Sequence, residues 1–193
     1  MRKKVVLPAI AIIAITVLAV IKFGVGEKTV EDVLAKGNKL PINIIHEEKT
    51  DKGVIVFYNH PRKDDLGACF IKKKMIGWKY VYGGVQGGLK ISMDEYGMSW
   101  SYFPNVYETP FPLYYGIIGN TDIKQVKIVE NKRKIEREAK IINAGDTRIW
   151  LIYMNRFEGS EFEIIGVSSD GKEISKVKED ISPYSAEQKP MKQ

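Results

Sequence analysis

The chain is poor in the side chains that build disulfides and metal sites. Its 193 residues include one cysteine, Cys69, and two histidines, His46 and His60. One cysteine excludes an intrachain disulfide, and a standard zinc site needs three or four His, Cys or carboxylate ligands. No P-loop, GxSxG, HExxH or EF-hand motif is present. The sequence therefore predicts no metal site and no cofactor.

The scarce residues have simple structural interpretations. His60 lies beside Asp64 and Asp65 in a segment rich in turn formers, so a solvated hairpin turn is favoured over a loose cation site. Cys69 lies in an alternating strand pattern, which is typical of a small buried hydrophobe and not of a nucleophile.

Long hydrophobic runs are also absent, except at the N-terminus. Residues 5–21 are seventeen positions without a charge, preceded by Arg2, Lys3 and Lys4. As a helix they would span roughly 25 Å, and extension to residue 25 would reach about 31 Å, the thickness of a hydrocarbon core. The flanking basic residues favour a cytoplasmic N-terminus. We therefore expect residues 1–26 to be a membrane anchor or a signal peptide.

Two topologies follow from this segment. A signal-anchor would give a single-pass membrane protein with residues 27–193 extracellular. Cleavage after Val17-Leu18-Ala19, the best but a mediocre match to a small-residue site, would instead give a secreted protein. An exported domain without disulfides favours a Gram-positive envelope.

The charge balance argues against nucleic acid. The formal net charge is +6, but residues 1–26 hold four basic side chains and no acid. Residues 27–193 thus carry 26 basic and 24 acidic side chains. A nearly neutral body lacks the basic face that duplex binding requires, so we expect no nucleic-acid partner.

Residues 27–193, the part expected to be exported, are predicted to be mainly β. Thr29, Glu31, Asp32 and Gly37 bracket one short helix. The following segments have strand-like patterns separated by turn signals, including residues 143–146 and 169–172. These segments are residues 40–46, 53–58, 66–73, 77–82, 89–93, 98–103, 113–118, 123–129, 135–142, 148–155, 161–167 and 173–177.

This rhythm predicts an antiparallel β-sandwich or open barrel with one short N-terminal helix, preceded by a single transmembrane helix. The predicted extracytoplasmic domain covers residues 27–181, with a possible subdivision near 119–122. Residues 182–193 are polar and predicted to be disordered.

The stretch FIKKKMIGWKYVYGG, residues 70–84, is predicted to be a hairpin with a charged tip around residues 74–76. Alternation places Trp78, Tyr80 and Tyr82 on one face of the second strand. The glycines at 83–88 are interpreted as a flexible turn or bend between strands.

A second aromatic stretch, WSYFPNVYETPFPLYY, covers residues 100–115. Core packing with a proline-stiffened crossover is the simpler interpretation, and an exposed surface that stacks on sugars or anchors a protein is the functional one. The candidate binding surface comprises Trp78, Tyr80, Trp100, Tyr107 and Tyr114.

Three functions remain open. The leading one is a membrane-tethered interaction or ligand-binding module without catalysis, whose partners are the membrane, through residues 5–21, and an envelope protein or glycan. The second is a cell-wall glycan-directed enzyme using carboxylates such as Asp94, Glu95 and Glu108 near the aromatic stretch. The third is an accessory subunit of a membrane complex. We expect a chain that is not an enzyme.

One resemblance supports the predicted location. A short helix followed by GVIVFY, FIKKKMIGWK and PFPLYYGIIGNTDIKQVKI is similar in pattern to small membrane-anchored or secreted proteins of Gram-positive bacilli, a group with no assigned activity. The resemblance covers about residues 27–178. It implies a place in the cell envelope and brings no catalytic motif.

Overall fold

The computed structural model describes residues 26–38, 40–154 and 161–180, which are mainly β. They form three four-stranded antiparallel sheets and two short helices, in two compact units. Of these residues, the first unit holds those from 26 to 89 together with 105–110, and the second holds 90–104 and those from 111 to 180.

Several predictions fall outside or across these ranges. The predicted transmembrane segment at residues 5–21 and the predicted disordered tail at 182–193 lie outside the described residues. Neither described helix has the length and apolar character needed to cross a membrane. Residues 119–122, the possible subdivision, lie within the second unit.

The first unit opens with the predicted short helix, α1 (Val30–Gly37). Thr29 caps it: the Thr29 hydroxyl accepts a hydrogen bond from the Asp32 N–H, and the Asp32 carboxylate accepts one from the Thr29 N–H, each at 3.1 Å. This reciprocal pair satisfies two N–H groups that the first turn of a helix leaves free.

Helix α1 packs on a four-stranded meander. The strands are β1 (Asn43–Lys49), β2 (Gly53–Asn59), β3 (Asp65–Lys73) and β4 (Trp78–Gly87), ordered β1-β2-β3-β4. One apolar cluster joins helix and sheet, because alternate residues of β2 and β3 point to the same face. Its buried members are Val30, Val33, Leu34, Val54, Val56, Tyr58, Cys69 and Ile71.

The predicted face assignment in β4 is wrong at Tyr82. The pairing with β3 shifts between Phe70 and Ile71, so that Tyr80 lies opposite Ile71 but Tyr82 lies opposite Phe70. The extra residue in β4 is a β-bulge, and Tyr82 consequently joins the face opposite that of Tyr80.

The predicted turn at residues 83–88 is also corrected, because β4 continues to Gly87. A Cβ on Gly83 would lie 2.5 Å from the Cys69 Cβ and 2.7 Å from the Tyr80 hydroxyl. The absence of a side chain at Gly83 thus allows close packing within the sheet, and Gly83 does not end the strand.

The second unit begins near helix α2 (Leu89–Tyr96), where the sequence predicted a strand at residues 89–93. Leu89 is buried and Met93 and Tyr96 are half-buried, which is helical spacing. Gly97 has a φ of 69°, and its N–H donates to the Met93 carbonyl at 2.9 Å. A glycine that follows a helix in this conformation is a common stop signal, and the alternating pattern concealed it.

Eight strands complete the second unit. They are β5 (Ser101–Phe103), β6 (Leu113–Ile118), β7 (Gln125–Glu130), β8 (Ile135–Glu138), β9 (Lys140–Ala144), β10 (Thr147–Tyr153), β11 (Glu161–Val167) and β12 (Glu173–Asp180). The sheets run β5-β6-β10-β9 and β12-β11-β7-β8. The predicted single strand at 135–142 is two strands, because the chain changes sheet at Ala139.

Both sheets of the second unit contribute to one core. Trp150 and Tyr114 from one sheet join Ile128, Phe162 and Ile164 from the other. This arrangement is consistent with the predicted β-sandwich, and none of the described sheets closes on itself.

Candidate binding surface

The five predicted surface residues differ widely in exposure. Tyr107 is 89% exposed and Tyr80 is 45% exposed, whereas Tyr114 is fully buried. Trp78 and Trp100 are half-buried. Trp78, Tyr80 and Tyr107 belong to the first unit, and Trp100 and Tyr114 belong to the second.

The two aromatic residues of the second unit pack inward. The Trp100 indole N–H donates to the Glu179 carboxylate. The Trp100 ring packs edge-on against the Tyr96 ring, with 5.3 Å between the ring centres. The Tyr114 ring contacts Tyr102 at 4.8 Å, and burial raises the Tyr114 pKa. Tyr114 therefore cannot contribute to an exposed stacking surface.

One end of the first unit holds Trp78 and Tyr107. In an antiparallel meander, the β1–β2 and β3–β4 turns lie at the same end. Residues 26–27 join this end, because the Gly26 N–H donates to the Ile76 carbonyl at 2.9 Å. We call residues 26–27, 50–52, 72–79 and 106–109 together the Gly26 end.

Two glycines permit this close approach of the chain. A Cβ on Gly26 would lie 2.4 Å from the Trp78 carbonyl oxygen, and one on Gly77 would lie 2.4 Å from the Glu27 carbonyl oxygen. Gly77 also has a φ of 79°, a backbone conformation that is strained for residues other than glycine. Both positions therefore require glycine, because a Cβ at either one would prevent residues 26–27 from pairing with the β3–β4 turn.

The segment at residues 106–109 is tied to the same end by lysines. The Lys72 ammonium lies 2.8 Å from the Glu108 carboxylate, and the Lys52 ammonium donates to the Thr109 carbonyl at 3.5 Å. The hydrogen bond and charge of Lys72 lower the pKa of Glu108, with smaller contributions from Lys74 and Lys52. Tyr107, next in the chain, is thus displayed beside a group of lysines.

Exposed apolar side chains complete the Gly26 end. Met75 is 76% exposed and Ile76 is 49% exposed at the β3–β4 turn. The Lys73 ammonium lies 5.9 Å from the centre of the Trp78 ring, within cation–π range. The charged residues of this end are Lys52, Lys72, Lys73, Lys74, Lys79, Glu27, Asp51 and Glu108, an excess of lysine.

A cleft of about 360 Å³ in the second unit is a separate candidate. Its carboxylates have partners: Glu161 pairs with Lys132 at 2.7 Å, and Glu179 accepts the Trp100 N–H. The lining consists of Glu130, Asn131, Lys132, Glu161, Phe162, Glu163, Lys178, Glu179 and Asp180. The cleft is acidic overall and suits a ligand with positive charge or many hydrogen-bond donors.

Asp94, Glu95 and Glu108, the carboxylates proposed from the sequence for a glycan-directed enzyme, do not line this cleft. Asp94 and Glu95 line a different, open cleft of about 430 Å³ in the second unit, beside Gly119 and Asn120. Glu108 belongs to the first unit and is held by Lys72.

The histidines have local structural partners. The imidazole of His60 lies 2.8 Å from the Asp65 carboxylate, whose other oxygen accepts the His60 backbone N–H, so the pair closes the β2–β3 turn. His46 lies 3.4 Å from Glu48. Within residues 26–38, 40–154 and 161–180, no cluster of three or more His, Cys, Asp or Glu could hold a metal ion.

Comparison with protein-family models, curated proteins and solved structures finds no match. The resemblance to envelope proteins of Gram-positive bacilli stays a prediction, and the site must be judged from its own geometry.

Sequence reasoning found part of the Gly26 end and missed the rest. It singled out Trp78 and Tyr107, and it placed the lysines of residues 72–74 at a turn. It missed that residues 26–27 and 106–109 return to that turn, because these contacts are distant in sequence. The glycine pair Gly26 and Gly77 was the available signal, although glycine alone does not reveal its partner.

Proposed function

We propose that the chain is a membrane-tethered extracytoplasmic binding module without catalysis. One observation supports this most directly: Gly26, five residues after the charge-free segment 5–21, is hydrogen-bonded into the first unit through its N–H to the Ile76 carbonyl. Five residues reach at most about 18 Å, so a segment 5–21 in a membrane would hold the first unit close to its surface.

The acidic cleft of the second unit is the proposed ligand site. An envelope protein or a glycan carrying positive charge or many donors would complement Glu161, Glu163 and Asp180. The second unit is proposed to be an antiparallel β-sandwich, a fold that commonly presents binding sites at its ends. The cleft lies at one end of the sheet that contains β7, β11 and β12.

A glycan-directed enzyme is the second candidate, since the cleft brings carboxylates close to Trp100. Glycoside hydrolysis needs one carboxyl group as acid and another as base or nucleophile. Here the Glu161 and Glu179 carboxylates are engaged by Lys132 and Trp100, which favours binding over catalysis. Release of soluble fragments from purified cell wall, lost in Glu179→Gln, would favour the enzyme.

The tether is tested by thiol labelling of intact cells that express the full chain. Ser169→Cys adds a thiol at an exposed turn, and Lys3→Cys adds one before the apolar segment. A membrane-impermeant maleimide should label position 169 in intact cells and position 3 after permeabilisation. Labelling at 169 that also requires permeabilisation would contradict the proposal. Native Cys69 is buried and should not interfere.

The cleft is tested with two matched substitutions in one sheet. Glu161→Gln removes a half-exposed carboxylate that lines the cleft and pairs with Lys132. Glu136→Gln removes an equally exposed carboxylate outside it, paired with Lys127 at 3.2 Å. Retention of the purified protein on isolated cell wall should fall in Glu161→Gln and persist in Glu136→Gln. Equal retention in both variants would exclude the cleft as the wall-binding site.

A further inference from the structure

We propose that the Gly26 end of the first unit docks onto the lipid headgroups of the membrane that holds residues 5–21. This inference rests on the proposed tether and adds a second, non-covalent contact. The Gly26 end would then fix the orientation of the first unit relative to the bilayer.

Chain connectivity places this end next to the membrane. Four residues, 22–25, separate the charge-free segment from Gly26, and Gly26 is bonded directly to Ile76. Glu27 and Trp78 continue the pairing through two backbone hydrogen bonds of 2.8 Å. The β3–β4 turn is therefore bonded to a residue only five positions after the segment proposed to lie in the bilayer.

The side chains of this turn suit a bilayer interface. Met75, Ile76 and Tyr107 are among the most exposed large apolar side chains of the first unit. Trp and Tyr rings favour the headgroup region, where a ring is partly shielded and its polar atom stays hydrated. An exposed Met-Ile pair next to such rings is unfavourable in water and favourable in the interface.

The charge of the Gly26 end matches anionic lipid. Lys73 and Lys79 are exposed, and half-buried Lys74 directly precedes the Met-Ile pair. Lysines near an anionic surface each strengthen association by roughly fivefold, within a Debye length of about 8–10 Å. Segment 22–25 can keep these lysines within reach of that layer.

The opposite end of the meander has a loop without a lysine excess, and its exposed apolar side chains, Leu40 and Val85, lie outside that loop. The β2–β3 loop balances Arg62 and Lys63 with Asp64 and Asp65. Residues 60–64 contain no exposed large apolar side chain. The two ends are separated by the nine residues of β3, roughly 27–30 Å. A probe at each end therefore distinguishes a docked Gly26 end from a unit that tumbles freely on its tether.

The test uses the full chain reconstituted in vesicles of equal parts phosphatidylglycerol and phosphatidylcholine. Met75→Cys carries a bimane fluorophore in one sample, and Lys63→Cys carries it in a matched control. A lipid spin-labelled at a shallow acyl position quenches fluorophores at the interface. We expect quenching and a blue-shifted emission at position 75, with neither at position 63.

The contribution of charge is tested in the same assay. Lys73→Gln, Lys74→Gln and Lys79→Gln are combined in the Met75→Cys chain, and Arg62→Gln with Lys63→Gln serves as the control. Quenching at position 75 should fall in the lysine variant and in high salt, and it should persist in the control. Quenching that is unchanged by the lysine substitutions and by high salt would exclude headgroup recognition by these lysines.

Flotation of the vesicles separates the two proposals. Protein that does not float with vesicles would contradict the tether itself. Protein that floats but shows no quenching at position 75 would overturn the docking inference alone. Position 75 protected from water but unquenched by lipid would assign the surface to a second copy or another protein, which also overturns it.

Discussion

Glu27 and Trp78 exchange two backbone hydrogen bonds, each 2.8 Å long, at the edge of the first sheet. β4 is the edge strand of that sheet, and this pair covers part of its open edge. Residues 26 and 27 are therefore part of the folded first unit, bonded to the β3–β4 turn.

The first prediction tests the glycine that permits this pairing. Gly26→Ala places a Cβ about where the Trp78 backbone lies, so the strand pair must separate. We expect a loss of roughly 1–3 kcal/mol in the free energy of unfolding, measured by urea denaturation. Gly37→Ala is the matched control in the same unit, because a Cβ there meets no atom within 4 Å. Equal effects of the two substitutions would mean that the Gly26 contact contributes nothing.

The second prediction concerns two buried tyrosine hydroxyls. The Tyr114 hydroxyl has no hydrogen-bond partner among the described residues. At Tyr58, by contrast, Asn38 favours the ionised hydroxyl and partly offsets the larger effect of burial, which raises the Tyr58 pKa. Tyr114→Phe removes an unsatisfied buried group, so it should be neutral or stabilise by about 1 kcal/mol. Tyr58→Phe should destabilise by about 1 kcal/mol, since it removes a hydroxyl that interacts with Asn38. Thermal unfolding measures both, and a marked destabilisation by Tyr114→Phe would reveal a partner for that hydroxyl.

The third prediction concerns the reactivity of Cys69. Its side chain is fully buried, and burial raises the pKa of the thiol to about 12. The reactive thiolate is therefore scarce at neutral pH. The native protein should not react with a maleimide within the time that unfolded protein in urea reacts completely. Fast labelling of the native chain would contradict the packing of α1 on the sheet.

The same burial predicts alkaline destabilisation. The thiol ionises near pH 9 in the unfolded chain but near pH 12 in the folded one, so its contribution is complete below pH 9. That contribution decreases as the pH rises from about 9 to 12. Tyr58, whose pKa burial also raises to about 12, adds to the loss. Urea denaturation across this range should show a smaller decline in Cys69→Ala than in the native protein.

The fourth prediction concerns the lysines of the β3–β4 turn. Changing Lys72, Lys73 and Lys74 together to Gln should cost little stability. The Lys72 pair with Glu108 is partly exposed, and solvent screening leaves such pairs little net stability. Lys73→Gln alone should be neutral, and Lys72→Gln should account for any loss in thermal unfolding. A large loss from Lys73→Gln would require a contact of Lys73 beyond the Trp78 ring.

Local patterns predicted the local structure well. The capped helix at Thr29, the strand at 113–118 and the turns at Gly145 and Gly171 are confirmed, because each depends on neighbours in sequence. The helix α2 was missed, since five alternating residues also fit a strand and the stop at Gly97 lies outside them. The bulge in β4 was missed because pairing register depends on β3.

The candidate surface shows the same limit. Exposure of Tyr107 and burial of Tyr114 follow from packing between distant segments, although both lie in one aromatic stretch. Their types and spacing alone could not separate them. The Gly26 end was visible in the sequence as lysines and aromatic residues, and its completion by Gly26 and Glu108 required the fold.

The most direct test of the proposed tether is the intact mass of the protein recovered from the membrane fraction of cells that express the full sequence. A signal-anchor predicts the mass of the whole 193-residue chain, with residues 1–25 still attached, and no protein in the medium. Recovery from the medium of a chain that begins after residue 19 would contradict the tether and identify a secreted protein.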